Sequence, residues 1–239
     1  MSLVLQPKAV LHFLLKVIGV LLVANLLTLV AKHGLGRGAL FGLVPLFNFN
    51  DERNIPTLYS SVALLLAGGL LMLITHLSRQ RGEPHRAWLG LALIFVFLSI
   101  DEMTGLHERA TEPMRLLMHS SRGFLEGSLG LRAWVVPYAV LLMAFGLTYL
   151  RFLFRLPAQT RWHFMGSGLV YVTGTIGFEV IGSEWVLQHG EDNVPYALLY
   201  TCEETLEMLG IAWFVHALLT YLATAFAPLH LTMKKGSHP

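Results

Sequence analysis

The sequence predicts an all-α polytopic membrane bundle with six transmembrane helices. Three observations predict it. Of 239 residues, 54% are apolar and only 13% charged, where soluble domains carry about 25% charged residues. Apolar runs of about twenty residues recur along the chain, enough to cross a ~30 Å hydrocarbon core as helix. The Lys and Arg residues fall between those runs, where topology alone places them. The formal charge of +2 is too small to point to nucleic acid, and the single cysteine, Cys202, excludes an intrachain disulfide. With no internal repeat and no separate polar region, residues 1–239 read as one integral membrane domain.

The elements follow in order. The first helix is expected over residues 9–31, with Lys16 near enough to its start to snorkel. No small-residue cleavage site follows a short apolar region, so this reads as a retained span. Residues 32–54 are rich in glycine, then in aromatics, and end on Asp51, Glu52 and Arg53; they are expected partly in the interface. Pro56 suits the first turn of a second helix, 57–78. A basic loop leads to a third helix, 87–108. Within the long connection 109–131, residues 113–119 suit a short amphipathic surface helix. The fourth helix is expected over 132–154. The fifth, 162–188, carries Gly166, Gly168, Gly174, Gly177 and Gly182. Small residues let helices approach closely in lipid, which predicts a central place for it. The sixth, 194–226, is longer than one span requires. Trp88, Trp134, Trp162, Trp185 and Tyr200 read as an interfacial belt.

Six spans put both termini on one side. Arg151, Arg155 and Arg161 precede the fifth helix, while nothing basic separates the fifth from the sixth. That asymmetry makes the terminus side cytoplasmic.

The acids are the anomaly. Asp101, Glu102, His107 and Glu108 close the third run; Glu179 and Glu184 lie in the fifth; Glu203, Glu204 and Glu207 lie in the sixth. Simple alternation of spans brings all of them, with Asp51 and Glu52, to the same leaflet, away from the termini. At 100° per residue Asp101 and Glu108 fall about 20° apart, and Glu203, Glu204 and Glu207 are i,i+3 and i,i+4 neighbours. Glu184 lies near the interface and suits solvent as well as a site. His216 reads as a hydrogen-bonded core histidine.

A carboxylate at membrane depth costs about 2.5–3.5 kcal/mol. Relief must come from bound cations, protons or basic partners, and basic residues at that depth are scarce. A metal site is therefore expected, with Asp101, Glu102, His107, Glu108, Glu204 and Glu207 as ligands and Glu203 or Glu179 as catalytic base. A carboxylate-histidine set suits Fe, Mn or Zn. Cys202, Met103 and Met208 flank the acids and would suit copper, though methionine more commonly packs. Bundles that hold two metal ions use Glu-x-x-His, which is missing here.

The segments Asn54-Ile55-Pro56-Thr57-Leu58-Tyr59-Ser60-Ser61, Ser99-Ile100-Asp101-Glu102 with His107-Glu108, and Glu203-Glu204-Thr205-Leu206-Glu207-Met208 resemble a group of uncharacterised bacterial multi-pass membrane proteins. The resemblance implies a bacterial inner-membrane setting and attaches no activity. The leading expectation is a metal-dependent membrane enzyme acting on an apolar or lipid-like substrate. The alternatives are a cation or proton transporter using the same acids, and a non-catalytic subunit of a larger membrane complex. The partners expected are the lipid bilayer and either further subunits or a second copy of the chain.

Overall fold

At membrane depth the backbone has no partner but itself, and each long apolar run satisfies it as helix. The computed structural model describes residues 6–111, 113 and 135–226, and among these there is no strand. Helix α1 (Pro7–Leu29) runs on into a π turn at Val30–Gly34. A 3-10 turn at Leu40–Gly42 leads to the short α2 (Leu43–Phe47). Then come α3 (Ile55–Gln80), α4 (Arg86–Thr104) and the single turn α5 (Leu106–Arg109). Beyond them are α6 (Val135–Arg155) and α7 (Ala158–Val172). A π-helical segment, Thr173–Phe178, joins α7 to α8 (Glu179–His189), and α9 (Val194–Ala225) follows.

Six stretches are long and apolar enough to cross a membrane: Pro7–Gly34, Ile55–Gln80, Arg86–Thr104, Val135–Arg155, Ala158–His189 and Val194–Ala225. They coincide with the six expected spans to within a few residues at each end, apart from the third. That helix stops at Thr104, not near residue 108. Gly105 adopts φ 61°, ψ 42°, and its N–H bonds back to the Asp101 carbonyl. A left-handed residue at this point ends a helix. Residues 114–119 of the expected surface helix, residues 132–134 with Trp134, and the basic tail from 227 lie outside the described residues.

The centre of the bundle is α9, not the glycine-rich fifth span. It packs against α1, α3, α7 and the π segment, and Ala197, Ala212, Ala217 and Leu218 on it are nearly inaccessible. The glycines of the fifth span do not surround it with partners. Gly166 and Gly174 meet α9, while Gly168 faces open space.

Buried polar pairs fix the register. Asn25 Nδ2 on α1 donates to Thr201 Oγ1 on α9 at 2.9 Å, and the Phe49 N–H donates to Asn25 Oδ1 at 3.0 Å. Ser61 on α3 and Ser99 on α4 each donate a hydroxyl to the other's carbonyl at 2.8 Å. Such interhelical bonds contribute about 0.6 kcal/mol each in lipid. Two of the expected belt aromatics are instead structural. Trp88 is buried against Phe152, Phe164 and Tyr221. Tyr200 is buried and donates to Asn48 Oδ1 at 3.0 Å. The cause is the same for both: α9 and its neighbours close over these positions.

Helix α6 differs from the rest. Among its described residues only Val135 is buried. Long side chains hold it: Tyr138 to Asp101, the Tyr149 hydroxyl donating to the Ala87 carbonyl at 3.3 Å, and Phe152 edge-on to Trp88 at 4.8 Å.

Candidate intramembrane site

Between α6 and the other helices lies a cavity of about 600 Å³, lined from α3, α4, α6, α7, the π segment, α8 and α9. One end is polar and the other aromatic. Asp51, Glu52, Asp101, Glu102, His107, Glu179, Glu203, Glu204 and Glu207 line it, with Tyr138, Tyr171 and Thr175. At the other end stand Phe145, Phe152, Phe164 and Phe214.

The polar end is built locally, step by step. Asn54 caps α3 through Oδ1, which accepts from the Thr57 N–H at 3.0 Å. The Asn54 amide donates to the carbonyls of Asn48 at 2.7 Å and Asp51 at 2.6 Å. The loop before α3 is thereby tied down, and Glu52 sits against Gly105 with its carboxyl where any Cβ would lie. Gly105 thus serves twice: it takes the left-handed turn and leaves room for Glu52. The turn also returns the chain to Asp101. The His107 N–H donates to Asp101 Oδ1 at 2.9 Å, and the His107 ring Nδ1 lies 3.4 Å from Asp101 Oδ2. The Tyr138 hydroxyl donates to the same Oδ2 at 3.1 Å. His107 Nε2 then faces Glu52 Oε1 at 3.8 Å.

This is a carboxylate-oriented histidine, the arrangement that fixes a ring for metal binding or proton transfer. Burial acts to lower the His107 pKa. The bonded Asp101 carboxylate, with the charges of Asp101, Glu52 and Glu102, outweighs burial and leaves it raised.

The second half of the polar end comes from the close approach of the π segment to α9. A Cβ on Gly174 would lie 2.8 Å from the Glu203 carbonyl oxygen and 2.9 Å from Glu207 Cγ. Only glycine permits that distance, and it brings two pairs together. Glu207 lies near Thr175, whose hydroxyl donates to the Tyr171 carbonyl at 3.1 Å, and Glu203 lies within electrostatic reach of Glu179. Glu204 lies within electrostatic reach of Glu207, Glu52 and Glu179, and Glu102 of Glu204 and Glu52. A π segment inside a helix commonly marks a functional position.

Of the expected site residues, Asp101, Glu102, His107, Glu179, Glu203, Glu204 and Glu207 all line the one cavity. Glu108 falls in α5, and its side chain lies outside the described residues. Glu184 is exposed and accepts from Gln188 Nε2 at 2.7 Å, away from the site. Cys202 is exposed and Met208 is in the core. His216 is half-buried, and its Nδ1 has no hydrogen-bond partner among the described residues. Among the described residues no three His, Cys, Asp or Glu side chains are already drawn together as a metal-binding set.

Sequence reasoning left Glu52 out of the ligand set, though it had placed that residue on the correct side. It missed Tyr138, Tyr171 and Thr175. The signal for Tyr138 was present: Tyr138, Leu141, Leu142, Phe145, Tyr149 and Phe152 recur at helical spacing and line one face of α6.

Fold and site together define a multi-pass membrane protein with an acidic cavity inside the bundle. A family described as a domain of unknown function (DUF8692) matches residues 14–222, and the chain belongs to that family. No curated protein and no solved structure matches the chain.

Proposed function

We propose that this protein is a membrane-embedded enzyme whose acidic cavity end takes a divalent cation and acts on the polar part of a lipid-like molecule. One observation carries the reading. Eight acidic residues and His107 line the cavity, and no Lys or Arg lines it among the described residues. Like charges so confined need cations or protons.

His107 would be the anchoring donor, and Glu52, Glu102 and Glu204, from three other stretches of chain, would supply the carboxylates. These carboxyl groups are within electrostatic reach of one another. Asp101, expected as a ligand, serves in this reading to orient His107, because both of its oxygens already accept bonds. Glu203, with Glu179 within electrostatic reach, would serve as the general base. A metal here would polarise a substrate oxygen or activate water or dioxygen. Fe, Mn or Zn suits the donors, and the identity of the ion selects redox or hydrolytic chemistry.

The concentration of acids in the cavity also favours a proton or cation pathway. The far end argues against it, since Phe145, Phe152, Phe164 and Phe214 dominate there and only the Tyr149 and Ser167 hydroxyls would offer a proton an onward step. Elemental analysis of detergent-purified protein tests the leading reading. Wild type is expected to carry stoichiometric metal, and Glu102→Ala/Glu204→Ala to lose it while remaining folded. Folded wild-type protein that never met a chelator and carries no metal would refute it and leave the proton reading.

A further inference from the structure

The cavity has a side opening as well as a polar end. Gly146 on α6 and Gly168 on α7 both line it and are both exposed, and a Cβ on either would meet nothing within 4 Å. Leu141 and Met165, also lining residues, are 63% and 42% exposed. The gap therefore lies at the level of the spans, between α6 and α7, where the surroundings are hydrocarbon. From this gap the cavity runs toward aromatic rings in one direction and carboxylates in the other. A volume of about 600 Å³ falls within the roughly 300–1,000 Å³ of small-molecule sites.

We infer that the cavity takes a single-chain amphiphile with a cationic head, such as a long-chain amine, which slides in from the bilayer between α6 and α7. Its chain lies against Phe145, Phe152, Phe164 and Phe214, and its head reaches Glu204 and its neighbours. A cationic head matches a lining with eight acids and no Lys or Arg among the described residues. An anionic head would add to the repulsion. A cavity of about 600 Å³ suits one chain better than two. This names the substrate class of the site proposed above and rests on that reading for its location, but not for its metal.

The experiment uses the full chain in nanodiscs of neutral lipid, stripped with chelator and, separately, with metal restored. Two photoactivatable probes of equal chain length are compared, a long-chain amine and the corresponding fatty acid, each with a diazirine near the tail. The expected result in stripped protein is saturable labelling by the amine in the stretch holding Phe145 and Phe152, at least severalfold above the acid, and weaker labelling when metal is restored, because the ion and the head share Glu204. Glu204→Gln is expected to reduce labelling by the amine. Gly146→Trp and Gly168→Trp, both at exposed positions, are expected to abolish it while leaving the thermal midpoint unchanged. Labelling that never saturates and falls on outward residues such as Val140, Leu147 and Leu169 would mean bulk lipid only and would overturn the inference. So would preference for the acid in stripped protein, or wild-type labelling in both Trp variants. Because labelling is read on stripped protein, its failure is distinct from a failure to find metal.

Discussion

Gly174→Ala tests the packing that assembles half of the site. The new Cβ would stand 2.8 Å from the Glu203 carbonyl oxygen, 2.9 Å from Glu207 Cγ and 3.2 Å from the Glu207 nitrogen. Two of those atoms are α9 backbone, which cannot swing aside as a side chain can. The helices must part, and overpacking of this kind costs about 1–3 kcal/mol. Replacing glycine by alanine in a helix returns about 0.5–1 kcal/mol. With backbone as the obstacle the upper half of the first range applies, and the net loss is about 1–2 kcal/mol. Gly168→Ala supplies the internal control. Its Cβ meets nothing within 4 Å, so only the gain of about 0.5–1 kcal/mol remains. The two variants should therefore differ by about 2 kcal/mol in reversible SDS unfolding followed by tryptophan fluorescence. Parting the helices also moves Glu204, the proposed ligand on α9, away from the ligands on the other stretches of chain. Metal content should fall in Gly174→Ala and hold in Gly168→Ala. Equal unfolding midpoints for the two variants would refute the close-approach argument.

Other outcomes follow from the Asp101 hub. Asp101→Asn removes the charge beside the His107 ring; NMR titration of labelled histidine should show the His107 pKa move down, and stability should fall by about 1.5–3 kcal/mol for the charged hydrogen bonds lost. In metal-free protein the raised His107 pKa is a stability term with a definite sign. The folded state holds the proton more tightly than the unfolded chain, so the contribution is complete below the ordinary imidazole value of about 6.5 and disappears as pH rises through the raised folded value. Unfolding midpoints measured against pH should show that loss in wild type and not in His107→Gln. Tyr138→Phe removes the hydroxyl that ties α6 to Asp101, at about 1 kcal/mol, and hydrogen exchange over residues 135–155 should quicken while the rest of the bundle is unchanged.

The spans were legible because hydrocarbon imposes one solution on a long apolar run. Length, the positions of Pro56 and Arg86, and the acidic loop before Val194 were enough to bound α3, α9 and the start of α4 within a few residues. The convergence of acids was legible for a related reason. Alternation fixes which leaflet each end of a span occupies, so Asp101, Glu179 and Glu207 could be placed at one depth without knowing how the helices pack. What sequence could not show is lateral order. The glycines of the fifth span announce close contact but not with how many neighbours, and the same stripe serves a helix with one partner or with four. Helix α9 carries small or polar residues on two faces, Ala197, Thr201 and Ala212 on one and Gly210 on the other, and packs against α1, α3 and α7 together.

The site's division of labour was hidden for a further physical reason: it depends on where one helix stops. Read as continuous helix, residues 87–108 put His107 about 120° from Asp101, and the two could not share a proton or an ion. The left-handed turn at Gly105 breaks that geometry and folds the chain back, so that the His107 N–H and ring both come to Asp101. Glycine there was visible in the sequence, but a glycine inside an apolar span more commonly serves packing than termination. The same turn opens the space that Glu52 fills, drawing the loop before α3 into the cavity. One backbone angle at Gly105 thus turns a row of acids on separate helices into an oriented histidine facing a carboxylate cluster, and the chemistry proposed for the cavity depends on it.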